Sequence, residues 1–193
     1  MKILTSTIQS TFTIKKSKFY CFGHFVNNKD EVKELISKYK KNYPDASHIC
    51  YAYVLDDKTY YFTDGGEPSG TAGQPIYNAL QTFHLNYTLL IVIRYFGGIK
   101  FGPGPLRTTF KDIAIKTLDL GKFKECNIVD IVEIKVPYDK IRSVLSTFRS
   151  SIHKKKYDKE YVLIWLIGNK EQIIKQLDHL DLKPQSIKEN QVV

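Results

Sequence analysis

The stretch TLLIVIRYFGGIKFGPGP, residues 88–105, decides the fold. Its first part, Thr88–Ile93, is apolar at almost every position and shows no alternation, the pattern of a strand buried on both faces. A strand of that kind needs cover on both sides, so it implies a sheet with helices packed against it. The strand ends at Arg94, and a loop rich in glycine and proline follows. Phe110, Ile113 and Thr117 then mark one side of a helix.

Upstream, FYCFGHFV (19–26) reads as an aromatic strand, followed by a helix with an apolar stripe of Val32, Leu35, Ile36 and Tyr39. Asn28 or Asp30 is positioned to cap that helix, and Pro44 ends it. HICYAYVL and TYYFT, separated by DDK, read as a hairpin. Next comes a second unusual loop, TDGGEPSGTAGQP (63–75), which leads into a helix carrying Ile76, Leu80 and Phe83. Leaving aside the extreme N-terminus, the order is β-α-β-β-α-β-α.

A second unit begins near residues 122–127. Val132, Ile134 and Val136 alternate in a strand, and Ile141, Val144, Leu145 and Phe148 stripe a helix. SIHKKKYD and EYVLIWLIG read as strands, with Trp165 expected in the core. Ile173, Ile174, Leu177 and Leu180 stripe a last helix, and LKPQSIKEN supplies a final strand. This β-α-β-β-α-β order is the ferredoxin-like pattern. The expectation is an α+β chain of two domains, residues 1–124 and 125–193.

Composition narrows the function classes. The chain has 193 residues and a formal net charge of +9. Residues 1–125 hold 17 basic and 11 acidic side chains, so most of the excess lies in the first domain. Such a charge permits contact with nucleic acid, ribosomes or acidic protein surfaces. No apolar run approaches the roughly 18 residues of a membrane span, and MKILTSTIQSTF lacks the apolar region of a signal peptide. A cytoplasmic protein is expected. Cys21, Cys50 and Cys126 are odd in number and widely spaced, which disfavours a disulfide framework or a zinc site. The five histidines show no ligand-like pairing, so no metal and no cofactor are expected.

Eight of the eleven glycines fall between Gly65 and Gly104, so both loops have demanding backbones. In the first, Asp64 and Glu67 are acidic, and Ser69 and Thr71 are capping types, with Thr71 just ahead of a helix. Amides from Gly70 to Gly73 would form a positive helix end, open to a phosphate, a carboxylate or an acid of the same chain. The spacing is not that of a Walker loop. In the second loop, Arg94 at the end of an apolar strand calls for an anionic partner, and Asp64 and Glu67 are the intramolecular candidates. The candidate ligand- or phosphate-binding set is therefore Asp64, Glu67, Ser69, Gly70, Thr71, Gly73, Arg94, Gly97, Gly98, Lys100 and Arg107. None is assigned a catalytic role.

PDASHICYAYVL, DGGEPSGTAGQP and RYFGGIKFGPGPL, in that order over residues 44–106, together resemble the IMPACT/YigZ family. The resemblance implies an N-terminal ribosomal protein S-five domain-2-like β/α domain and a C-terminal ferredoxin-like βαββαβ domain similar to elongation factor G domain V. Relatives in eukaryotes regulate translation under amino-acid starvation. By resemblance and charge, the expected function is that of a non-catalytic factor that binds RNA or the ribosome, or regulates translation. Two alternatives stay open: an enzyme on a small anionic or phosphorylated substrate, with Asp64 or Glu67 as general base, and a module that binds a translation-regulatory protein. The chain departs from the family pattern in places: Gly65 stands where a second aspartate is usual, Pro105 replaces a glycine, and Arg107 lies one position early, with Thr108 in the usual arginine place.

Overall fold

The structure, a computed structural model, describes residues 1–192. The chain divides into two compact units, Met1–Glu125 and Cys126–Val193. The first contains β1 (Lys2–Leu4), β2 (Ile8–Ile14), β3 (Ser17–Phe25), α1 (Lys29–Asn42), β4 (His48–Val54), β5 (Tyr60–Thr63), α2 (Gly73–Thr82), β6 (Thr88–Tyr95), α3 (Pro103–Leu118) and β7 (Phe123–Glu125). Five strands form an antiparallel sheet in the order β2-β3-β6-β4-β5, and β1 pairs with β7 in a separate ribbon.

The central position of β6 explains its composition. Every residue from Thr88 to Arg94 is buried, because helices lie on both faces of the sheet. Alternation sends Phe19, Cys21, Cys50, Ala52, Leu90 and Val92 to one face, where they join Ile76, Leu80, Phe110 and Ile113 of α2 and α3 in one core. The opposite face carries Phe22, whose ring lies 4.6 Å from that of Tyr39 on α1. Asn28 caps α1 by accepting from the amides of Asp30 and Glu31.

The second unit contains β8 (Ile128–Pro137), a 3-10 turn (Tyr138–Lys140), α4 (Ile141–Thr147), β9 (Ile152–Tyr157), β10 (Tyr161–Gly168), α5 (Lys170–Asp178) and β11 (Pro184–Val192). Its antiparallel sheet runs β11-β8-β10-β9, the ferredoxin-like order. Val132, Ile134, Val162, Ile164, Leu166, Ile173 and Leu177 make its core.

Trp165 corrects the sequence expectation. It is only partly buried, and its neighbours Ile164 and Leu166 are the core residues, so it sits on the other face of β10. Lys154 lies over its ring at 5.4 Å. Alternation separates two faces of a strand, but which face is core depends on where the helices pack. The lysines of HKKK run along the exposed edge strand β9, where charge blocks further strand pairing.

Candidate functional site

The two glycine-rich loops meet at one end of the five-stranded sheet. There the register places Phe19, Arg94 and His48 side by side across β3, β6 and β4. Their side chains share the face that carries α2 and α3. Glu67 reaches this row from the first loop. Arg94 Nη1 donates to both Glu67 oxygens, at 2.8 and 2.7 Å. His48 Nδ1 donates to Glu67 Oε1 at 2.7 Å. The Glu67 and Arg94 side chains are 1% and 6% exposed, so this is a buried ion pair, with His48 on its outer side.

The surroundings of Arg94 are mostly aromatic. Its guanidinium carbon lies 5.5 Å from the Phe19 ring, 5.3 Å from Phe96 and 4.8 Å from Phe101. Nη2 donates to Ser17 Oγ at 3.3 Å, and Nε has no partner among the described residues. One nitrogen bridging both carboxylate oxygens is a weaker arrangement than the two-nitrogen fork that arginine can make. The second loop is fastened from below: Ser17 Oγ also accepts from the Gly97 amide, and Ser47 Oγ accepts from that of Phe96.

Asp64 does not meet Arg94. Its Oδ2 accepts from the Gly70 amide at 2.8 Å, and its Oδ1 from Ala72 and Gly73 at 2.9 and 2.8 Å. It thus closes the loop on itself and satisfies the first amides of α2. Burial works to raise its pKa, but the amides of Gly70, Ala72, Gly73 and Thr71 outweigh that and hold it below the usual aspartate range. Thr71, which local spacing offered as the cap, makes no cap hydrogen bond; its hydroxyl instead donates to the Pro68 carbonyl. An acid nine residues ahead took the role, and no local motif announces that.

The remaining candidates separate by exposure. Ser69 and Gly70 of the first loop and Arg107 of the second border one open recess of about 420 Å³, shared with Gln74, Asn78 and Lys111. Arg107 Nε donates to the Gly70 carbonyl at 3.1 Å and so ties the loops together. Gly98 and Lys100 are exposed on the second loop. Sequence reading missed His48, Ser17 and Lys111. Lys111 was accessible in principle, since it follows Arg107 by one helical turn. His48 required the register of β4 against β6.

No group of three or more metal-ligating side chains converges among the described residues, and no described helix is long and apolar enough to cross a membrane. Cys50 donates its thiol to the Asp64 carbonyl, and burial pushes its pKa up strongly. Burial likewise pushes Cys21 up to about 12. Both thiols are therefore expected to stay unreactive towards a disulfide reagent such as Ellman's reagent at pH 8 until the chain is denatured. Stoichiometric release of thionitrobenzoate from the native Cys50→Ser variant, in which Cys21 is retained, would contradict that for Cys21.

A family model for the Impact N-terminal domain matches residues 15–118, which include both loops and make up more than half of the chain. The chain belongs to the IMPACT family. The IMPACT family member YvyE of Bacillus subtilis (strain 168) is 35% identical over 140 residues, which cover 72% of this chain and 64% of that protein. The IMPACT family member YigZ of Escherichia coli (strain K12) is 35% identical over 97 residues, or 48% of each chain. The matches thus span between about half and two thirds of these relatives. A solved structure described as a hypothetical protein aligns over 98% of both chains with a TM-score of 0.68 at 22% identity, a likeness of fold. Within the IMPACT family fold, the conspicuous loop acids of this chain are held by Arg94, His48 and backbone amides.

Proposed function

We propose that the protein is a non-catalytic RNA-binding factor that works with the translation machinery in the cytoplasm. The observation that carries this reading is the division of charge at the loop junction. The acids there are engaged inside the protein: Glu67 by Arg94 and His48, Asp64 by three amides. The cations of the open recess, Arg107 and Lys111, are exposed and make no ion pair among the described residues. A recess with engaged acids and available cations suits a phosphate better than it suits proton abstraction by Asp64 or Glu67. The link to translation rests on the resemblance of both domains to elongation-factor and ribosomal-protein domains, together with the net charge of +9. Lys100 adds a further cation on the second loop.

The test is RNA binding as a function of salt. Affinity for a structured RNA should fall steeply with ionic strength through counterion release. The Arg107→Gln/Lys111→Gln variant should lower the log–log slope by about 0.7 to 0.9 for each phosphate that is no longer neutralised. Its thermal unfolding should stay close to that of the parent, since both side chains are exposed. An affinity that is flat from low to physiological salt, or a variant with an unchanged slope, would refute phosphate binding at this recess.

A further inference from the structure

A larger recess, of about 610 Å³, opens between α1 and the β4–β5 edge of the first sheet. It lies on the opposite face of the sheet from α2 and α3, away from the loop junction. Its floor is Tyr51 and Tyr53 of β4 and Tyr61 of β5. Tyr53 stands directly across from Tyr61 in the register, and the ring centroids of Tyr51 and Tyr53 lie 6.0 and 6.1 Å from that of Tyr61. Tyr61 is 49% exposed, so an aromatic face is open to solvent at the mouth. Burial and the neighbouring Tyr61 push Tyr51 and Tyr53 up from the usual tyrosine value, so both present neutral rings at physiological pH.

The wall is one side of α1. Lys29, Lys33, Lys40 and Lys41 line it, at spacings that put them over the sheet. Lys33 pairs with Asp30 at 2.9 Å; the other three make no ion pair among the described residues. No carboxylate lines the recess among the described residues. We propose that this recess binds single-stranded nucleic acid, with unpaired bases stacking on Tyr61 and Tyr53 and phosphates held by the α1 lysines. Neutral aromatic rings on the floor and cations along one wall match the two halves of a nucleotide. An acidic peptide would use the lysines and leave the rings idle. A duplex keeps its base faces inside its own stack. The volume is of the order of ordinary ligand pockets, which run from about 300 to 1,000 Å³.

The inference rests on the nucleic-acid reading for its ligand class, but on different residues and the other face of the sheet. The experiment is fluorescence anisotropy of a fluorescein-labelled ten-nucleotide uridine RNA with the full chain. Tyr61→Ala should weaken binding about tenfold, and Tyr61→Phe should restore it, because the ring and not the hydroxyl stacks. Lys40→Gln/Lys41→Gln should lower the salt slope by about 0.7 for each phosphate released from a lysine. A ten-residue glutamate peptide in excess should not compete, and a duplex of the same length should bind more weakly. Circular dichroism checks that each variant folds. Should Tyr61→Ala fail to fold, the two lysine positions, exposed on a helix, decide the matter. Parental affinity in both the folded Tyr61→Ala and the lysine variants would overturn the site. If affinity falls only in Arg107→Gln/Lys111→Gln, the RNA function stands and this recess is excluded. If no variant and no parent binds RNA, both readings fall. Equal competition by the glutamate peptide would make the recess a surface for acidic proteins and would also overturn the proposal.

Discussion

Replacing Glu67 by alanine is expected to cost about 3 to 5 kcal/mol of folding stability, the penalty for leaving a buried charge without its partner. Arg94 is enclosed by Phe19, Phe96 and Phe101 and has no second carboxylate within reach among the described residues. Water has little access to replace Glu67, whose side chain is 1% exposed. Glu67→Gln should cost less, since the amide oxygen can still accept from Nη1, although it cannot neutralise the guanidinium. The informative comparison is the double variant Glu67→Leu/Arg94→Met. A buried ion pair contributes little net stability once the desolvation of both charges is counted. Here the pair also leaves Arg94 Nε unsatisfied, which by itself costs about 1 to 3 kcal/mol. Removing both charges should therefore recover most of the stability that Glu67→Ala forfeits. Urea unfolding of the two single variants and the double variant gives the coupling energy. If the double variant is as unstable as the sum of the singles, the pair is not coupled, and Arg94 is not a captive of Glu67. The same cycle bears on function: a Glu67→Gln protein that stays folded and binds RNA like the parent would place Glu67 outside the binding surface.

Much of the architecture could be read from periodicity. The unbroken apolar run at Thr88–Ile93 announced a central strand, and the Val32, Ile36 and Tyr39 stripe announced α1. These signals are strong because each reports a whole buried face. By contrast, β1 and β7 are three residues each, too short for any period to emerge. The second unit was legible as β-α-β-β-α-β, yet Trp165 was assigned to the wrong face, because strand alternation is symmetric until the helices choose a side. The site was less legible than the fold. The glycine clusters and the lone arginine at a strand end correctly drew attention to one junction. Which acid Arg94 takes depends on the three-dimensional course of the 64–73 loop. Glu67 lies across from His48 and Arg94 only after β4, β6 and that loop are in register. The tyrosine–lysine recess was invisible for a related reason. Its rings come from two strands and its cations from a helix that precedes both, so no local window contains it.

Gly65 carries the second large expected effect. Its φ is +57°, a left-handed conformation that aspartate and asparagine tolerate better than most residues. Conformation alone would therefore allow the aspartate that the family pattern usually has here. Space does not allow it. An ideal Cβ on Gly65 would lie 1.9 Å from the carbonyl oxygen of Ile49 and 2.5 Å from its carbonyl carbon. Both are backbone atoms of β4, so no rotamer change relieves the clash, and the loop would have to lift away from the strand. Lifting it would strain the hydrogen bond from Cys50 to the Asp64 carbonyl and the capping of α2 by Asp64. Gly65→Asp should accordingly destabilise the first unit by about 3 kcal/mol or more, combining strain at the backbone with overpacking. Gly98 supplies the control. Its φ is +83°, but nothing lies within 4 Å of its ideal Cβ, so Gly98→Ala should cost only the conformational strain, about 1 kcal/mol. Chemical denaturation of the two variants against the parent separates the effects. Equal, small losses at both positions would mean that the 64–73 loop can shift at little cost. The tight seating of Asp64 against the α2 amides would then be one arrangement among several, and the loop acids would be available to a ligand after all.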